Sequence, residues 1–148
     1  MSAAQPTVLF LCTDNSVRSQ LGEALLRHRA GDRVDACSAG LMPKPVHPMV
    51  SEVLREIGIE PPALEPKAIG PFLGRRGVRY AVILRDADEA DAPRIFPFAT
   101  RTVRWDVPDP ARAGDEVLPH FRRVRDEIDA HVRELLVTLD SDQRGRAA

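Results

Sequence analysis

A cysteine, an arginine and an aspartate in this chain have the spacing to do chemistry together. The apolar run "TVLFLC" ends on Cys12, and Arg18 follows after five residues, at the head of a stretch with helical periodicity. A turn that short directs several backbone N–H groups at one point, and the helix N-terminus adds partial positive charge there. Thr13, Asp14, Asn15, Ser16 and Val17 would line that turn. Arg18 would add a planar fork of donors suited to a tetrahedral oxyanion. The same field lowers a thiol's pKa, so Cys12 is expected as a thiolate near neutral pH, aimed at the anion's central atom. Ser16 and Ser19 could each hydrogen-bond such a thiolate. The Cys-x5-Arg spacing alone is a weak signal, equally met by a buried cysteine, a polar turn and a capping Ser19. Its place between a strand and a helix gives it weight.

The aspartate is Asp109, held between Pro108 and Pro110 in "PDP". The two prolines stiffen the backbone around the carboxylate. The segment follows a strand, which places Asp109 at the same sheet edge as Cys12. A positioned carboxylic acid can protonate a departing oxygen, and an apolar neighbour such as Trp105 or Val107 would raise its pKa for that work. Asp106 is the alternative, with a structural role expected instead.

These groups need a scaffold, and the hydrophobic patterning supplies one. "TVLFLC" (7–12), "VDACSAG" (34–40), "YAVIL" (80–84) and "RTVRW" (101–105) read as strands. Three stretches read as helices. The first, 19–30, has Leu21, Ala24, Leu25 and His28 on one face and Gly31 as its stop. The second, 47–59, turns Val50, Val53, Leu54 and Ile57 inward. The third, 116–139, carries Val117, Phe121, Val124, Ile128, Val132, Leu135 and Leu139 at helical spacing, with Pro119 in its first turn or before it. Strands alternating with helices predict an α/β domain with a parallel sheet, whose ligands bind beyond the carboxyl ends of the strands.

The bulk properties bound the answer. A length of 148 residues suits a single domain, 1–148, with an ordered core of about 6–139. A net charge of -1 leaves no basic footprint for nucleic acid. No apolar run reaches the roughly 20 residues that span a bilayer, so no membrane partner is expected. "MSAAQPT" lacks the basic and apolar regions of a signal peptide, which makes the cytoplasm the expected compartment. Two cysteines, Cys12 and Cys37, cannot build a disulfide framework and are expected as thiols. His28, His47, His120 and His131 have no metal-ligand spacing, so no metal site is expected.

"CTDNSVRSQ" resembles the active-site loop of the low-molecular-weight protein tyrosine phosphatase superfamily, and most of all its arsenate reductase branch. The resemblance covers nearly the whole chain. It includes "SAG" (38–40) after the second strand, "EVLREIGIE" (52–60), "WDVPDPARA" (105–113) as the acid loop and "FRRVRDEI" (121–128) in the last helix. It implies a three-layer α/β fold: a four-stranded parallel sheet with helices on both faces. It also implies that Asn15 braces the loop and that Ser19 hydrogen-bonds the Cys12 sulfur. Glu23 and Ser38 match positions near a potassium ion in some reductases.

The sequence departs from that pattern in three places. Position 14 is Asp where the family usually has Gly, which puts a negative charge beside the anion unless the side chain turns away. The thioredoxin-coupled reductases carry two more cysteines after the third strand, whereas "LRDADEADAP" (84–93) has none. Cys37, in the second strand, is expected to be buried packing rather than a relay. No cofactor is expected to be tightly bound; a reductase cycle here must borrow an external thiol of the mycothiol or glutathione type, with a redoxin for recycling. Third, "DPARAG" lacks the aromatic walls of a phosphotyrosine slot, and the sole tyrosine, Tyr80, lies in a strand. Leu41, Met42 and Val46 could line a mouth, with packing as their ordinary role.

Three functions follow, in order: arsenate reduction through a Cys12 adduct, hydrolysis of a phosphate monoester through a phosphocysteine, and oxyanion binding without catalysis. The cluster of Arg75, Arg76 and Arg79 and the acidic run "DADEADA" (86–92) are expected as solvated loops, the latter as a candidate lid.

Overall fold

The structure is a computed structural model that describes residues 5–61, 63–73, 77–90, 93–94, 96–114 and 116–147. Four strands form one parallel sheet in the order β2-β1-β3-β4: β1 (Thr7–Cys12), β2 (Asp35–Gly40), β3 (Val78–Arg85) and β4 (Ala99–Asp106). β1 lies inside the sheet and is covered on both faces, which is why its sequence is an unbroken apolar run. β4 is an edge strand, blunted by exposed Arg101, Thr102 and Arg104. The chain leaves β1 for β2 on one side and later returns to β3 on the other. The strand order therefore reverses at β1, and Cys12 stands at the carboxyl end of that switch strand.

Three helices share one face of the sheet: α1 (Arg18–Ala30), α2 (Pro48–Arg55) and α3 (Val117–Ala147). Their apolar sides meet Val8, Phe10, Tyr80, Val82 and Leu84 in the main core. α1 sits very close to β1, because a Cβ at Gly22 would lie 2.5 Å from the Phe10 ring. Leu9, Leu11, Ala81 and Ile83 point the other way, onto Phe96, Ile69 and Phe72. Among the described residues the cover on that face is the short 3-10 helix Gly70–Phe72 and adjoining loops.

Two helix ends differ from the periodicity. α2 stops at Arg55, and the chain turns through Gly58 at φ 83. That resets the spacing, so Ile57, expected inward, is 40% exposed and Ile59 takes the core position. α3 runs to Ala147, past the expected end at 139, where Tyr80 donates to Asp142 at 2.6 Å and Arg33 pairs with Asp140 at 3.1 Å. Among the described residues no helix is long and apolar enough to cross a membrane.

Candidate active site

The turn between β1 and α1 is held from outside by its carbonyls. Thr13 O accepts from Met42 N–H at 2.9 Å, Asp14 O from Lys44 N–H at 3.0 Å, and Ser16 O from His47 N–H at 3.0 Å. In a trans peptide the N–H points opposite to the C=O. The N–H groups of Asp14, Asn15 and Val17 are thereby turned into the loop, and Asn15 N–H does reach Cys12 Sγ at 3.2 Å. Asn15 adopts a left-handed φ of 54, which Asn tolerates better than most residues. Its side chain ties the loop together: Nδ2 donates to Ser19 Oγ at 2.7 Å, and Oδ1 accepts from Gln20 Nε2 and Lys67 N–H, both at 2.8 Å. Gly40, at the end of β2, permits this packing, since a Cβ there would stand 2.7 Å from Asn15 N.

Asp14 answers the question its charge raised. Its Oδ1 folds back and accepts from Ser16 N–H at 3.1 Å and Ser16 Oγ at 2.7 Å. Ser16 N–H, expected among the donors to an anion, is therefore taken by the chain itself.

Cys12 Sγ lies 2.8 Å from Ser19 Oγ. Burial pushes its thiol up from the ordinary value, against the pull of the Ser19 hydroxyl, the Arg18 charge and the Ser19 N–H; Asp14 adds to the rise. That direction is opposite to the lowering expected from the sequence. Arg18 still pulls the thiol down, but it is not the free cation the sequence suggested. Arg18 is buried, with Nη1 and Nη2 on Glu89 and a further bond from Nη1 to Val107 O at 3.1 Å. Glu89 belongs to the acidic run expected as a solvated loop or lid, yet it is 8% exposed. Thr13 Oγ1 also donates to it, at 2.9 Å. The Arg18 guanidinium holds the Glu89 carboxyl down to about 2, despite its burial.

Asp109 arrives on the loop after β4, half-buried, with Oδ1 accepting from Ala111 N–H at 3.0 Å. It lines a cavity of about 460 Å³ together with Thr13, Asp14, Arg18, Met42 and Glu89. The loop thus meets Arg18 and Asp109 around one space. Trp105 is not its partner there: it packs into the main core, stacked on His131 at 4.8 Å and tilted against Phe10. Asp106 is exposed and paired with Arg104 at 2.7 Å.

Cys37 is remote from this centre. It pairs with Leu9 in the β1–β2 register, while Cys12 pairs with Gly40. Three residues along a strand amount to about 10 Å, and the odd offset turns the two side chains to opposite faces. A disulfide needs Cα atoms within about 7 Å. Burial, with Asp35 and Glu23 nearby, pushes the Cys37 thiol up to about 12.

The other singled-out residues have packing or surface roles. His47 caps α2, accepting from Met49 N–H at 3.1 Å, and rests on Phe121. Met42 stands at the cavity mouth, Leu41 is exposed, and Val46 packs against the core. Arg75, Arg76 and part of the 86–92 run lie outside the described residues. The Glu23 carboxylate accepts from Ser38 Oγ at 2.7 Å and pairs with Arg27 at 3.0 Å and Lys67 at 3.4 Å. Two cations already pair with it, which works against a potassium ion at these residues.

Sequence reasoning missed Glu89 and Gly40. A carboxylate in the loop after β3, at the carboxyl edge beside Arg18, was the available signal for the first. The "SAG" after β2 was the signal for the second, without its steric reason.

The profile of the low molecular weight phosphotyrosine protein phosphatases matches residues 7–145. An arsenate reductase of Bacillus licheniformis is 31% identical over 138 residues, covering 91% of this chain and 98% of its own. One from Halalkalibacterium halodurans is 33% identical over 134 residues, covering 88% and 95%. Among solved structures, a thioredoxin-dependent arsenate reductase of Corynebacterium glutamicum superposes with a TM-score of 0.74 at 29% identity, over 96% of this chain; the chain spans 65% of that protein's length. With the sheet order, the Cys12–Arg18 loop and a match running from β1 into the end of α3, this chain belongs to the low molecular weight phosphotyrosine protein phosphatase family.

Proposed function

We propose that the protein is a cysteine-dependent arsenate reductase that takes its second sulfur from an external small thiol. The observation that carries this reading is the Cys12 sulfur, set in a loop whose carbonyls face outward, beside Arg18. Similarity to arsenate reductases over nearly the whole chain supports the substrate. Cys12 attacks arsenate, and Arg18 and the loop N–H groups hold the oxygens. An S–As bond forms as an As–O bond breaks. Asp109 protonates the departing hydroxyl, which leaves as water, and the proton lost by the Cys12 thiol restores the acid, so one water is released in all. The external thiol then attacks the Cys12 sulfur. The S–As electron pair stays on arsenic, which falls from As(V) to As(III), and Cys12 is left in a mixed disulfide for a second thiol or a redoxin to reduce. The two cysteines of the chain and the opposed faces of Cys12 and Cys37 support the external source.

The missing cysteine pair favours a second reading: hydrolysis of a phosphate monoester, with Cys12 forming a phosphocysteine and Asp109 turning from acid to base for the attacking water. A side-by-side assay separates the two. The first predicts arsenite from arsenate only when mycothiol or glutathione is added, with slow release of aryl alcohol from an aryl phosphate. Rapid aryl phosphate turnover with no arsenite under any thiol would replace it by the second.

A further inference from the structure

Four residues close a ring of hydrogen bonds at the sheet edge. Arg18 Nη1 and Nη2 donate to Glu89, whose second oxygen lies 3.1 Å from Nη2. Glu89 O accepts from Arg85 Nη2 at 2.9 Å. Arg85 O accepts from Val107 N–H at 3.1 Å, and Val107 O accepts from Arg18 Nη1 at 3.1 Å. The ring joins the loops that follow β1, β3 and β4. Glu89 is further pinned by Thr13 Oγ1 at 2.9 Å and Asp86 N–H at 2.8 Å.

A guanidinium has five N–H donors. Glu89 takes one from each Nη, and Val107 takes the second on Nη1. Among the described residues the second Nη2–H and the Nε–H have no partner; they lie side by side on one edge, which is the fork that grips a tetrahedral oxyanion. We propose that Glu89 is the positioning residue for Arg18: it grips the guanidinium by its end and presents the Nε/Nη2 edge to the bound oxyanion. This rests on Arg18 serving as the oxyanion ligand, as in the reading above. Glu89 also supplies the counter-charge that a buried arginine needs before an anion enters. A carboxylate that merely plugged the site would take the side edge and would not need Thr13 and Asp86 as anchors.

The test is Glu89→Gln, with Arg85→Met as a second variant that loosens the same loop from outside the charge pair. Two readouts are used: the ratio of Cys12 alkylation by iodoacetate, an anion that Arg18 must seat, to that by neutral iodoacetamide; and kcat and KM for an aryl phosphate, with Ki for inorganic phosphate. A misplacement of about 1 Å costs up to about 10²-fold in rate. Glu89→Gln should therefore lower kcat by about 10- to 100-fold with little change in KM, and the alkylation ratio should fall with it. Arg85→Met should move both in the same direction by less. An unchanged ratio with only a lower melting temperature overturns the proposal in favour of a structural role. A tighter phosphate Ki with kcat kept or raised overturns it in favour of a plug. If the wild type turns over neither arsenate nor aryl phosphate, the functional reading fails, and the alkylation ratio still decides the role of Glu89.

Discussion

Gly40→Ala tests whether the loop's position depends on the end of β2. A Cβ at residue 40 would stand 2.7 Å from Asn15 N and 2.8 Å from Asp14 C, both backbone atoms that cannot swing aside. Ordinary contact begins at 3.4 Å, so the loop has to retreat by about 0.7 Å. The strain of such overpacking is about 1–3 kcal/mol. The retreat moves the peptide whose N–H reaches Cys12 Sγ at 3.2 Å, and with it Asn15, which links Ser19, Gln20 and Lys67. A shift approaching 1 Å at the reacting centre costs up to about 10²-fold in rate. The assay is turnover of aryl phosphate and of arsenate with added thiol, beside thermal denaturation and protection of Cys12 by phosphate. Turnover should fall by about 10- to 100-fold while the protein stays folded with a modestly lower melting temperature. Wild-type turnover and stability together would refute the steric reasoning. A Gly22→Ala control presses on the buried Phe10 ring instead, at 2.5 Å, and should affect stability more than turnover.

Other expectations follow from single groups. The Glu89 carboxyl sits at about 2 in the fold against 4.5 ordinarily, so its contribution is fully present above the ordinary value and is lost as pH falls toward 2. The whole shift corresponds to about 3 kcal/mol, of which about 2 kcal/mol is lost between pH 6 and 3, so in urea unfolding Glu89→Gln should lose about 2 kcal/mol less stability than wild type over that range. Asp14→Gly frees Ser16 N–H and removes a negative charge, and phosphate inhibition should tighten by about 2- to 10-fold. A raised Cys12 thiol means that its alkylation climbs with pH well past neutrality and that phosphate protects it. Labelling that is already maximal near pH 6 would show that the loop donors outweigh burial. Cys37→Ser should leave turnover intact, and Cys37 should label slowly by peptide mapping.

How far the sequence could be read depends on the range over which each feature is written. β1 is written locally, as a continuous apolar run ended by Cys12, and so is the helical spacing of α3 as far as Leu139. The eight residues beyond carry no apolar stripe. They stay helical with help from Tyr80 and Arg33, which lie far away in sequence. α2 misled because Ile57 continues the helical spacing of Val53 and Leu54, whereas the helix stops at Arg55 and the chain turns through Gly58. Arg18 and Asp109 were legible as a pair, since strand ends share one edge in a parallel sheet. Glu89 was not: its partner lies 71 residues earlier, and an acidic run reads as solvated unless the loop is known to fold inward. The upward push on the Cys12 thiol was not legible either, because burial is its largest cause and outlasts the pull of Ser19 and Arg18.

The central claim is that Cys12 forms the arsenic adduct and that the second sulfur comes from outside the chain. Wild-type protein is mixed with arsenate and one small thiol for a single turnover, acid-quenched, and mapped by mass spectrometry without reduction. The account predicts arsenite and a mixed disulfide between Cys12 and the added thiol, with Cys37 free. An internal Cys12–Cys37 disulfide, or arsenite formed with Cys12 unmodified throughout, would contradict it.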